Sequence, residues 1–480
     1  MDVYTEVEDL GQKKISCRWV CTERLKAGKL EAKARLCARG CEDPEDVPTD
    51  SPTCERDNVR LLLSVAATFS WKIHSVDFKS AYLQGEDLDR EIYLLPPKEA
   101  KTNKLWRLNK CVYGINDAGK KWYNQLKKYL IQLKARMSTL DQAVFFSYQE
   151  GALHGIILLH VDDTLWAGSE RFASDVIEPL LNRFLVSAEE HVSMRYLGLS
   201  LSDDSYECSL SLGHYVRNLQ EIPIEANRRT DDTANGKEAS LLRTVSGQLN
   251  WLSAQGRPDL AFSSCQLACS IKSALVGDLK QANKLIRRAK GIEYNLLFRS
   301  LGDPNYWEVV CYADASWGNL PDGGSQGGYL MFLVGEDGTA NLVSWQSRRI
   351  KRVARSTIAA ETLSSVEAFE ASTLIASQIQ EIFNFKAKIP ITVVTDNESL
   401  ANAVRTTTSV EEKRLRIDIS ALREALNRGE LAGVKWVPTE DQLADCMTKQ
   451  GAKIDKLLTV IAQQMRLDKN HLQFMYSRHE

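Results

Sequence analysis

Two adjacent aspartates, Asp162 and Asp163, lie within one of the most apolar stretches of the chain, Gly155–Gly168. Burying two like charges side by side is unfavourable unless something neutralises them, and a divalent metal ion would do so. A strand–turn–strand with two carboxylates at its tip is typical of enzymes that use metal ions for phosphoryl transfer. On its own, the pair also fits a β-hairpin whose turn uses Asp-Asp, because aspartate favours turns.

A third aspartate, Asp77, follows the β-patterned segment Lys72–Val76, and the aromatic Tyr82 lies five residues after it. Extension of a nucleic-acid primer needs an in-line attack assisted by two metal ions. Hard magnesium ions prefer carboxylate oxygens as ligands. The three aspartates therefore predict a polymerase site with two Mg²⁺ or Mn²⁺ ions.

Four further acids lie at the boundaries of predicted elements in the last third of the chain. Asp314 ends a strand, Glu361 lies one turn into a long helix, Asp396 ends another strand, and Asp445 lies on a last short helix. If one sheet brings these boundaries together, the four carboxylates can form a second two-metal site, of the kind that a nuclease needs. Asp396, taken alone, also fits a helix N-cap together with Asn397.

Seven blocks, in order, resemble the reverse transcriptase and ribonuclease H portion of copia-type LTR retrotransposon polyproteins. Besides the segment with the three aspartates, they are KARLCARG (Lys33–Gly40), EIYLLPP (Glu91–Pro97), LWRLNKCVYGINDAGKKWYNQL (Leu105–Leu126), YLGLSL (Tyr196–Leu201), RTVSGQLNWLSAQGRPDLAF (Arg243–Phe262) and VPTEDQLADCMTK (Val437–Lys449). The blocks span nearly the whole chain, so chance does not explain the resemblance.

The resemblance implies an α+β multidomain fold: reverse-transcriptase fingers, palm and thumb, then a ribonuclease H-like α/β domain with a mixed five-stranded sheet. We expect fingers and palm over residues 1–224, a polar linker over 225–240 and a helical thumb or connection over 241–303. The ribonuclease H-like domain is expected over 304–450 and a C-terminal tail over 451–480.

Local patterns predict the elements that position the acids. They predict a fingers hairpin over residues 14–40 with its turn at Lys26–Lys29, a helix over Ala118–Leu133, and a helical stretch over Leu241–Phe298. In the last domain they predict strands at Trp307–Ala313, Gly328–Leu333 and Ala340–Trp345, a helix at Thr357–Phe383, a strand at Ile389–Thr395, helices at Ser399–Val404 and Glu411–Asn427, a strand at Leu431–Val437, and a short helix from Glu440.

The resemblance also assigns roles to residues. The implied metal ligands and catalytic acids are Asp77, Asp162, Asp163, Asp314, Glu361, Asp396 and Asp445. The implied substrate-binding residues are Lys33, Arg35, Arg39, Tyr82, Gly114, Asp117 and His160. Lys33 or Arg35 would bind the triphosphate, although both also fit a surface edge strand. Tyr82 lies where the family stacks an aromatic ring under the sugar, and it also fits a core tyrosine.

Several positions depart from the family's pattern. His160 replaces a tyrosine, Asp117 replaces a glutamine that contacts the incoming nucleotide, and Gly119 replaces a proline. An aspartate near a triphosphate is unfavourable unless a cation covers it, and Lys120 and Lys121 are the candidates.

The nuclease part departs as well. Ala359 replaces a second glutamate, and Leu415-Arg416 replaces Lys-His. Asp418, two residues further on, is therefore only a second-rank catalytic candidate.

A basic run lies just before the long helix; its cations are Arg348, Arg349, Lys351, Arg352 and Arg355. Five cations in a short segment suit a track for the phosphates of an RNA–DNA hybrid. Hybrid recognition rests on backbone shape and 2′-hydroxyls, so we expect no sequence specificity.

The overall composition limits which classes of protein the chain can belong to. The 480 residues are 44% apolar and 26% charged, which is typical of globular domains, and the net charge of −2 leaves nucleic-acid binding to local clusters. No run of eighteen apolar residues occurs, so no membrane span or membrane partner is expected, and the acidic start excludes a signal peptide. The odd number of cysteines, eleven, predicts free thiols without structural zinc and an intracellular, reducing location. Cytoplasm (in a virus-like particle) and nucleus are both left open.

The sequence thus predicts an RNA-directed DNA polymerase with ribonuclease H activity. Its expected partners are an RNA template, a DNA primer, an RNA–DNA hybrid and dNTP, and homodimer formation is left open. Because the chain starts inside the usual fingers region, we expect a truncated reading frame or a processed portion. Two alternatives stay open: a decayed copy that binds nucleic acid without polymerising, and a nuclease whose polymerase half is only a scaffold.

Overall fold

The computed structural model describes residues 2–26, 29–191, 193–204, 207–406, 412–463 and 465–476. Its strands are β1 Tyr4–Val7, β2 Lys14–Ile15, β3 Cys17–Lys26, β4 Lys29–Ala38, β5 Ile73–Phe78, β6 Tyr93–Leu94, β7 Leu105–Leu108, β8 Arg136–Met137, β9 Val144–Gln149, β10 Ala152–His160, β11 Asp163–Gly168, β12 Val186–His191, β13 Ser193–Tyr196, β14 Leu199–Asp203, β15 Glu207–Ser211, β16 Leu296–Arg299, β17 Glu308–Ser316, β18 Gln326–Val334, β19 Ala340–Arg349, β20 Ile391–Thr395, β21 Gly433–Trp436, β22 Met465–Asp468 and β23 Gln473–Tyr476.

The α-helices in the described ranges are α1 Arg56–Phe69, α2 Ala118–Gln132, α3 Glu170–Phe172, α4 Glu178–Arg183, α5 Gly213–Arg217, α6 Gly236–Gln255, α7 Ala261–Ser270, α8 Val276–Gly291, α9 Thr357–Phe383, α10 Glu398–Arg405, α11 Lys413–Asn427 and α12 Asp455–Ala462. Within these ranges, no helix is both long enough and apolar enough to cross a membrane. The chain forms two compact units, Met1–Glu55 with His74–Glu190, and Arg56–Ile73 with His191–Glu480. Sheets and helices are mixed in both, in line with the coarse α+β prediction.

The first unit contains a six-stranded sheet in the order β12-β5-β11-β10-β9-β8. The apolar run around the two aspartates forms the antiparallel pair β10–β11, in which Gly155 lies opposite Gly168 and His160 opposite Asp163. The ring of Phe172 packs over the two glycines so closely that a Cβ on either would overlap it. Glycine is therefore needed in both strands, and the pairing register of the hairpin is fixed.

The hairpin predicted over residues 14–40 is present as the antiparallel pair β3–β4, with Cys17 opposite Ala38. Ala27 and Gly28 of its predicted turn lie outside the described residues. A smaller sheet in the order β1-β7-β6-β2 belongs to the same unit. Helix α2 begins at the predicted residue, and its buried Trp122 packs edge-on against Phe78 at a centroid distance of 5.2 Å.

The second unit contains the predicted mixed five-stranded sheet, in the order β19-β18-β17-β20-β21. The pairs β17–β18 and β18–β19 are antiparallel, whereas β17–β20 and β20–β21 are parallel. Helix α9 has the predicted bounds because the Ser356 side chain caps it, accepting a hydrogen bond from Ala359 N at 3.3 Å. The predicted helix start at Glu411 lies outside the described residues, and α11 is described from Lys413.

Three elements differ from the predictions. Helix α6 begins at Gly236, inside the expected linker, because Asn235 and Glu238 form a reciprocal capping box with hydrogen bonds of 2.9 and 2.8 Å. The helical stretch expected to reach Phe298 ends instead in strand β16, which pairs with β15. The last short helix consists of two 3₁₀ turns, since Gln442 between them is extended and donates to Ala313 O at 2.9 Å.

Residues 451–463 and 465–476 contain regular structure in the second unit. Helix α12 is followed by the antiparallel hairpin β22–β23, whose Leu467 and Phe474 side chains are buried. Leu467 N donates to Gly338 O at 2.7 Å, and the buried Tyr312 hydroxyl donates to Leu472 O at 2.8 Å. The polar ending of the sequence concealed this packing, because few apolar residues carry it.

Candidate active sites

The turn between β10 and β11 holds Asp162 and Asp163 near Asp77. Phe78 N donates to Asp162 O at 2.9 Å, so strand β5 is joined to the turn one residue beyond Asp77. Burial raises the pKa of Asp163 to about 6, and the negative charges of Asp162, Asp77 and Glu190 act in the same direction. A nearby cation would favour the ionised form of this carboxyl group and oppose the upward shift of its pKa.

The backbone of this turn is strained and is held from outside. Val161 has φ 59°, a left-handed conformation that is an outlier for a β-branched residue. Its carbonyl accepts a hydrogen bond of 2.7 Å from Trp122 Nε1, and Trp122 is fully buried. Strain of this kind persists only where the surroundings impose it, and it is frequent at functional sites.

His160, at the end of β10, is half-buried beside this turn. Its Nδ1 makes no hydrogen bond to any described residue. Burial lowers the pKa of His160, and the charge of Asp162 only partly opposes that shift. His160 is therefore neutral at pH 7. In this respect it resembles the tyrosine that the family has at this position, which is also uncharged.

A cavity of about 500 Å³ lies beside the aspartates, within the first unit. Strand β4 contributes Lys33 and Arg35 to its wall, and Asp77 and Asp162 also line it. Lys79 lines it as well, so three cations and two carboxylates share one space. This combination suits a triphosphate and divalent ions together. Ser187 restrains Asp77 by donating to its carbonyl at 3.0 Å and to its carboxylate. Sequence reasoning missed Ser187, since no local pattern connects residues so far apart.

Three other expected substrate residues, Tyr82, Arg39 and Gly114, are not among the residues that line this cavity. Tyr82 packs edge-on against Tyr113 at a centroid distance of 5.2 Å, and burial and the Asp162 charge raise the pKa of Tyr82. Arg39 pairs with Glu42 at 3.6 Å and is not among the residues that line the cavity. Gly114 does not line it either; its φ of 90° and the nearby Ala38 carbonyl leave no room for a side chain.

Asp117 is buried away from the cavity walls. The cation that covers it is Arg90, whose Nη2 donates to Asp117 Oδ1 at 2.9 Å. Lys121 pairs with Asp89 at 2.9 Å instead. Arg90 thus neutralises the negative charge of Asp117, which we expected to disfavour a triphosphate. The sequence had suggested Lys120 or Lys121 for this role instead.

In the second unit, Asp314, Glu361 and Asp396 bring one carboxylate oxygen each within 4.8 Å of one another. Asp314 and Glu361 are 0% and 3% exposed, and the buried Asp314 Oδ1 and Glu361 Oε2 make no hydrogen bond. Burial raises the pKa of Asp314 to about 6 and that of Glu361 well above its ordinary value. Buried carboxylate oxygens without donors fit a divalent cation. In the described part of the chain, no other three acidic, histidine or cysteine side chains meet this closely, and this includes Asp77, Asp162 and Asp163.

Asp396 and Asp445 have different surroundings. Asn397 rather than Asp396 caps helix α10, accepting from Leu400 N at 2.9 Å, so the Asp396 carboxylate is available to the cluster. Asp445 is outside the close group, and its Oδ1 accepts a hydrogen bond of 2.6 Å from Lys449 Nζ.

Lys449 is an additional cation at this cluster, because its Nζ also lies 3.6 Å from Asp314 Oδ1. Thr448 donates a hydrogen bond to the other Asp314 oxygen. Sequence reasoning overlooked Lys449, although its position four residues after Asp445 is a readable signal for an ion pair.

The basic run is partly neutralised within the protein: Arg348 pairs with Glu367, Arg349 with Asp322, and Arg352 with Asp418. Both oxygens of Asp418 accept from Arg352, at 2.8 and 3.0 Å, and Asp418 does not join the metal-capable group. Lys351 and Arg355 are exposed, and no described carboxylate lies within 4.0 Å of either.

Comparison with known proteins is consistent with this geometry. Residues 1–230 match the family model described as reverse transcriptase (RNA-dependent DNA polymerase). The chain is 28% identical to the retrovirus-related Pol polyprotein from transposon RE1 of Arabidopsis thaliana, over 91% of this chain and 30% of that protein. The chain is similar to copia-type retrotransposon polyproteins, as the blocks of its sequence predicted. The matching family model bears out the reverse-transcriptase part of that resemblance over residues 1–230.

Two further relatives extend the comparison. The Pol polyprotein from transposon RE2 of Arabidopsis thaliana is 28% identical over 92% of this chain and 31% of that protein. The Pol polyprotein from transposon TNT 1-94 of Nicotiana tabacum is 25% identical over 92% of this chain and 35% of that protein. The chain thus spans about a third of the length of the curated relatives that it matches.

Proposed function

We propose that this chain is an RNA-directed DNA polymerase with ribonuclease H activity, and that each activity uses two divalent metal ions. The observation that carries the proposal is the cavity in which Lys33 and Arg35 share the walls with Asp77 and Asp162. It offers cations for a triphosphate and hard oxygen ligands for Mg²⁺ or Mn²⁺ in one space. The substrates would be an RNA template, a DNA primer and deoxynucleoside triphosphates.

In this proposal the β3–β4 hairpin acts as fingers, the six-stranded sheet as palm and helices α6–α8 as thumb. Asp77 and Asp162 would hold the metal ions, with Asp163 in support. The ions, when bound, would lower the pKa of the primer hydroxyl and neutralise the phosphates. The raised pKa of Asp163 supports this assignment, because such a carboxyl group gains most from a bound cation.

The proposed substrate contacts are made by Lys33 and Arg35, which line the cavity, and by Tyr82 and His160, which do not. Lys33 and Arg35 would bind the triphosphate of the incoming nucleotide, with Arg35 able to hold two phosphate oxygens at once. Tyr82 would stack under the sugar, supported by its edge-on contact with Tyr113. His160, neutral at pH 7, would lie near the primer terminus without adding charge there.

The nuclease would use Asp314, Glu361 and Asp396, with Asp445 as a fourth ligand once Lys449 releases it. Three of these acids already meet within 4.8 Å, and two of them keep buried oxygens without donors. These groups would orient the phosphodiester of the RNA strand for attack by water. Lys351 and Arg355, which have no internal partner in the described residues, would make the first contacts to the hybrid's phosphates.

The deciding experiment measures magnesium-dependent extension of a labelled DNA primer on an RNA template, together with cleavage of the RNA in a matched hybrid. Asp163→Asn is the control for extension, and Asp314→Asn is the control for cleavage. We expect the first variant to lose extension only and the second to lose cleavage only. A folded wild-type protein that binds the hybrid but neither extends nor cleaves would refute the proposal.

A second candidate is a nuclease whose polymerase half only binds nucleic acid. The observation in its favour is that the Asp314 group is compact, whereas the palm aspartates do not meet within the same distance. Hybrid cleavage that needs Asp314, without any primer extension over a range of Mg²⁺ and Mn²⁺ concentrations, would select this candidate.

A further inference from the structure

The first unit contains an almost fully buried ion triad, Asp43–Arg90–Asp117. Arg90 Nη1 lies 2.8 Å from Asp43 Oδ2, and Arg90 Nη2 donates to Asp117 Oδ1 at 2.9 Å. The three side chains are 9%, 2% and 6% exposed for Arg90, Asp43 and Asp117. Burial lowers the pKa of Arg90, but its hydrogen bonds to Asp117 and Asp43 outweigh that effect and the pKa is raised.

The two carboxylates belong to different segments, and both segments lead to the nucleotide cavity. Asp43 follows strand β4, the strand that carries Lys33 and Arg35. Asp117 follows Tyr113, which lines the same cavity. Arg90 belongs to neither segment and contacts both, so its guanidinium bridges them.

The two segments also contact each other directly. Ala38 N donates to Tyr113 O at 2.7 Å, and the Asn116 side chain donates through Nδ2 to Gly40 O at 3.2 Å. A Cβ on Gly40 would collide with the Gly114 carbonyl and with Asn116 Oδ1, so the segments pack closely there. A contact of this kind depends on something that holds the segments together, and the buried guanidinium lies next to it.

We propose that Arg90 is a positioning residue for the nucleotide cavity: it ties the end of the fingers strand β4 to the segment after Tyr113. The inference rests on the proposed polymerase function and extends it to a residue outside the cavity. Arg90 touches neither the metal ligands nor the cavity, and acts by fixing where Lys33 and Arg35 stand relative to Tyr113. Arg90 also compensates the buried charge of Asp117, because Asp117 is one of its two ion-pair partners.

The charge balance makes the proposal testable. Arg90→Gln leaves two buried carboxylates without a counter-ion, which should separate the segments. The double variant Arg90→Gln/Asp117→Asn removes one of those charges, so it should lie closer to the wild type than Arg90→Gln alone. Such non-additivity distinguishes a direct interaction from two independent effects.

The first measurement is amide hydrogen exchange of the full chain. We expect Arg90→Gln to accelerate exchange about tenfold in peptides covering residues 36–43 and 111–118, where the tie is lost, and not in strands β10–β11. Equal acceleration everywhere, or none in the two segments, would overturn the proposal. If Arg90→Gln does not fold, Arg90→Lys keeps the charge but cannot hold both carboxylates through a fork, and the same local pattern is expected from it.

The second measurement is steady-state nucleotide incorporation. We expect Arg90→Gln to raise KM for dNTP about tenfold with little change in kcat and in primer–template affinity, because positioning of the triphosphate cations is lost. Lys104→Gln, which breaks an exposed ion pair with Glu8 in the same unit, is the matched control and should change nothing. A loss of kcat with unchanged KM contradicts the proposal. If the wild type incorporates no nucleotide, the polymerase assignment fails, and the exchange data alone decide whether Arg90 ties the segments.

Discussion

At the scale of single residues, the cluster of Asp314, Glu361 and Asp396 has more negative charge than its surroundings neutralise. Asp314 is fully buried, and burial raises its pKa to about 6 although Lys449 and Thr448 act in the opposite direction. Because the ordinary value is 3.8, the folded protein binds a proton at Asp314 more tightly than the unfolded chain does. The stability linked to this proton is therefore complete below pH 3.8 and is lost as the pH rises through about 6.

Replacing Asp314 by asparagine should remove this dependence. We expect Asp314→Asn to raise the free energy of unfolding of the metal-free protein by about 1–3 kcal/mol near pH 7.5, and by much less near pH 4.5. Urea unfolding in the presence of a chelator, across this pH range, measures the difference. Asp322→Asn is the control, since the pKa of the exposed Asp322 is lowered by Arg349 and its loss should not stabilise the protein. A destabilised Asp314→Asn protein at the higher pH would contradict the prediction.

Lys449 presents the opposite case, a cation held between Asp445 and Asp314. Removing it in Lys449→Gln should destabilise the metal-free protein by about 1–2 kcal/mol, because both acids lose a counter-charge. The same change should tighten Mn²⁺ binding at this cluster, since the ion no longer competes with an ammonium group. Calorimetric titration in an Asp77→Asn background isolates the Asp314 cluster, and Lys388→Gln, which breaks an exposed ion pair, is the control. Weaker Mn²⁺ binding would mean that Lys449 helps to hold the metal ligands in place.

At the scale of elements, the sequence predicted those helices and strands whose position is determined by neighbouring residues in the chain. The apolar run of β10–β11 and the bounds of α9 are readable because periodicity and an N-cap serine specify them. The start of α6 was also readable, since Asn235 and Glu238 have the spacing of a capping box. The predicted end of the helical stretch at Phe298 was wrong because pairing with β15, a tertiary contact, overrides local preference.

The hairpin β10–β11 allows a test of packing within one pair of strands. Gly155→Ala adds a Cβ that would overlap the Phe172 ring, so we expect a loss of about 1–3 kcal/mol in the free energy of unfolding. Gly247→Ala is the matched control, because Gly247 lies inside helix α6 with open space around it and alanine should stabilise it by about 0.5–1 kcal/mol. Chemical denaturation of both variants provides the comparison. Equal and small effects would mean that the ring moves aside freely.

At the scale of the whole molecule, the chain order conceals which segments fold together. Helix α1 belongs to the second unit although it lies in sequence between two segments of the first. Its fully buried Arg60 donates to Val343 O at 3.2 Å and Gln255 O at 3.2 Å, and stacks on the Trp345 ring at 3.6 Å. Arg60, Ser187 and Arg90 each make hydrogen bonds to residues far away in the sequence. Such contacts leave no pattern along the chain. The sequence therefore predicted the acidic residues but not the side chains that position them.

The hairpin β22–β23 packs against the sheet that carries Asp314, so it tests whether distant packing affects that residue. Phe474 of β23 packs against Phe332 of β18 at a centroid distance of 5.2 Å, and strand β17 of the same sheet carries Asp314. Phe474→Ala should therefore lower the free energy of unfolding by about 3–4 kcal/mol through the cavity that it leaves. Met475→Ala is the control, since Met475 is 52% exposed in the same strand.

Thermal unfolding and hybrid cleavage on the same samples show whether this packing reaches the acids. If the sheet positions Asp314, cleavage by Phe474→Ala at low temperature should stay near the wild-type rate and fall with the unfolding transition, at a lower temperature than in the wild type. A cleavage rate that is lost while the protein is still folded would mean instead that the hairpin shapes the acid cluster directly. A Phe474→Ala protein as stable as Met475→Ala would show that the hairpin is not part of the cooperative core of its unit.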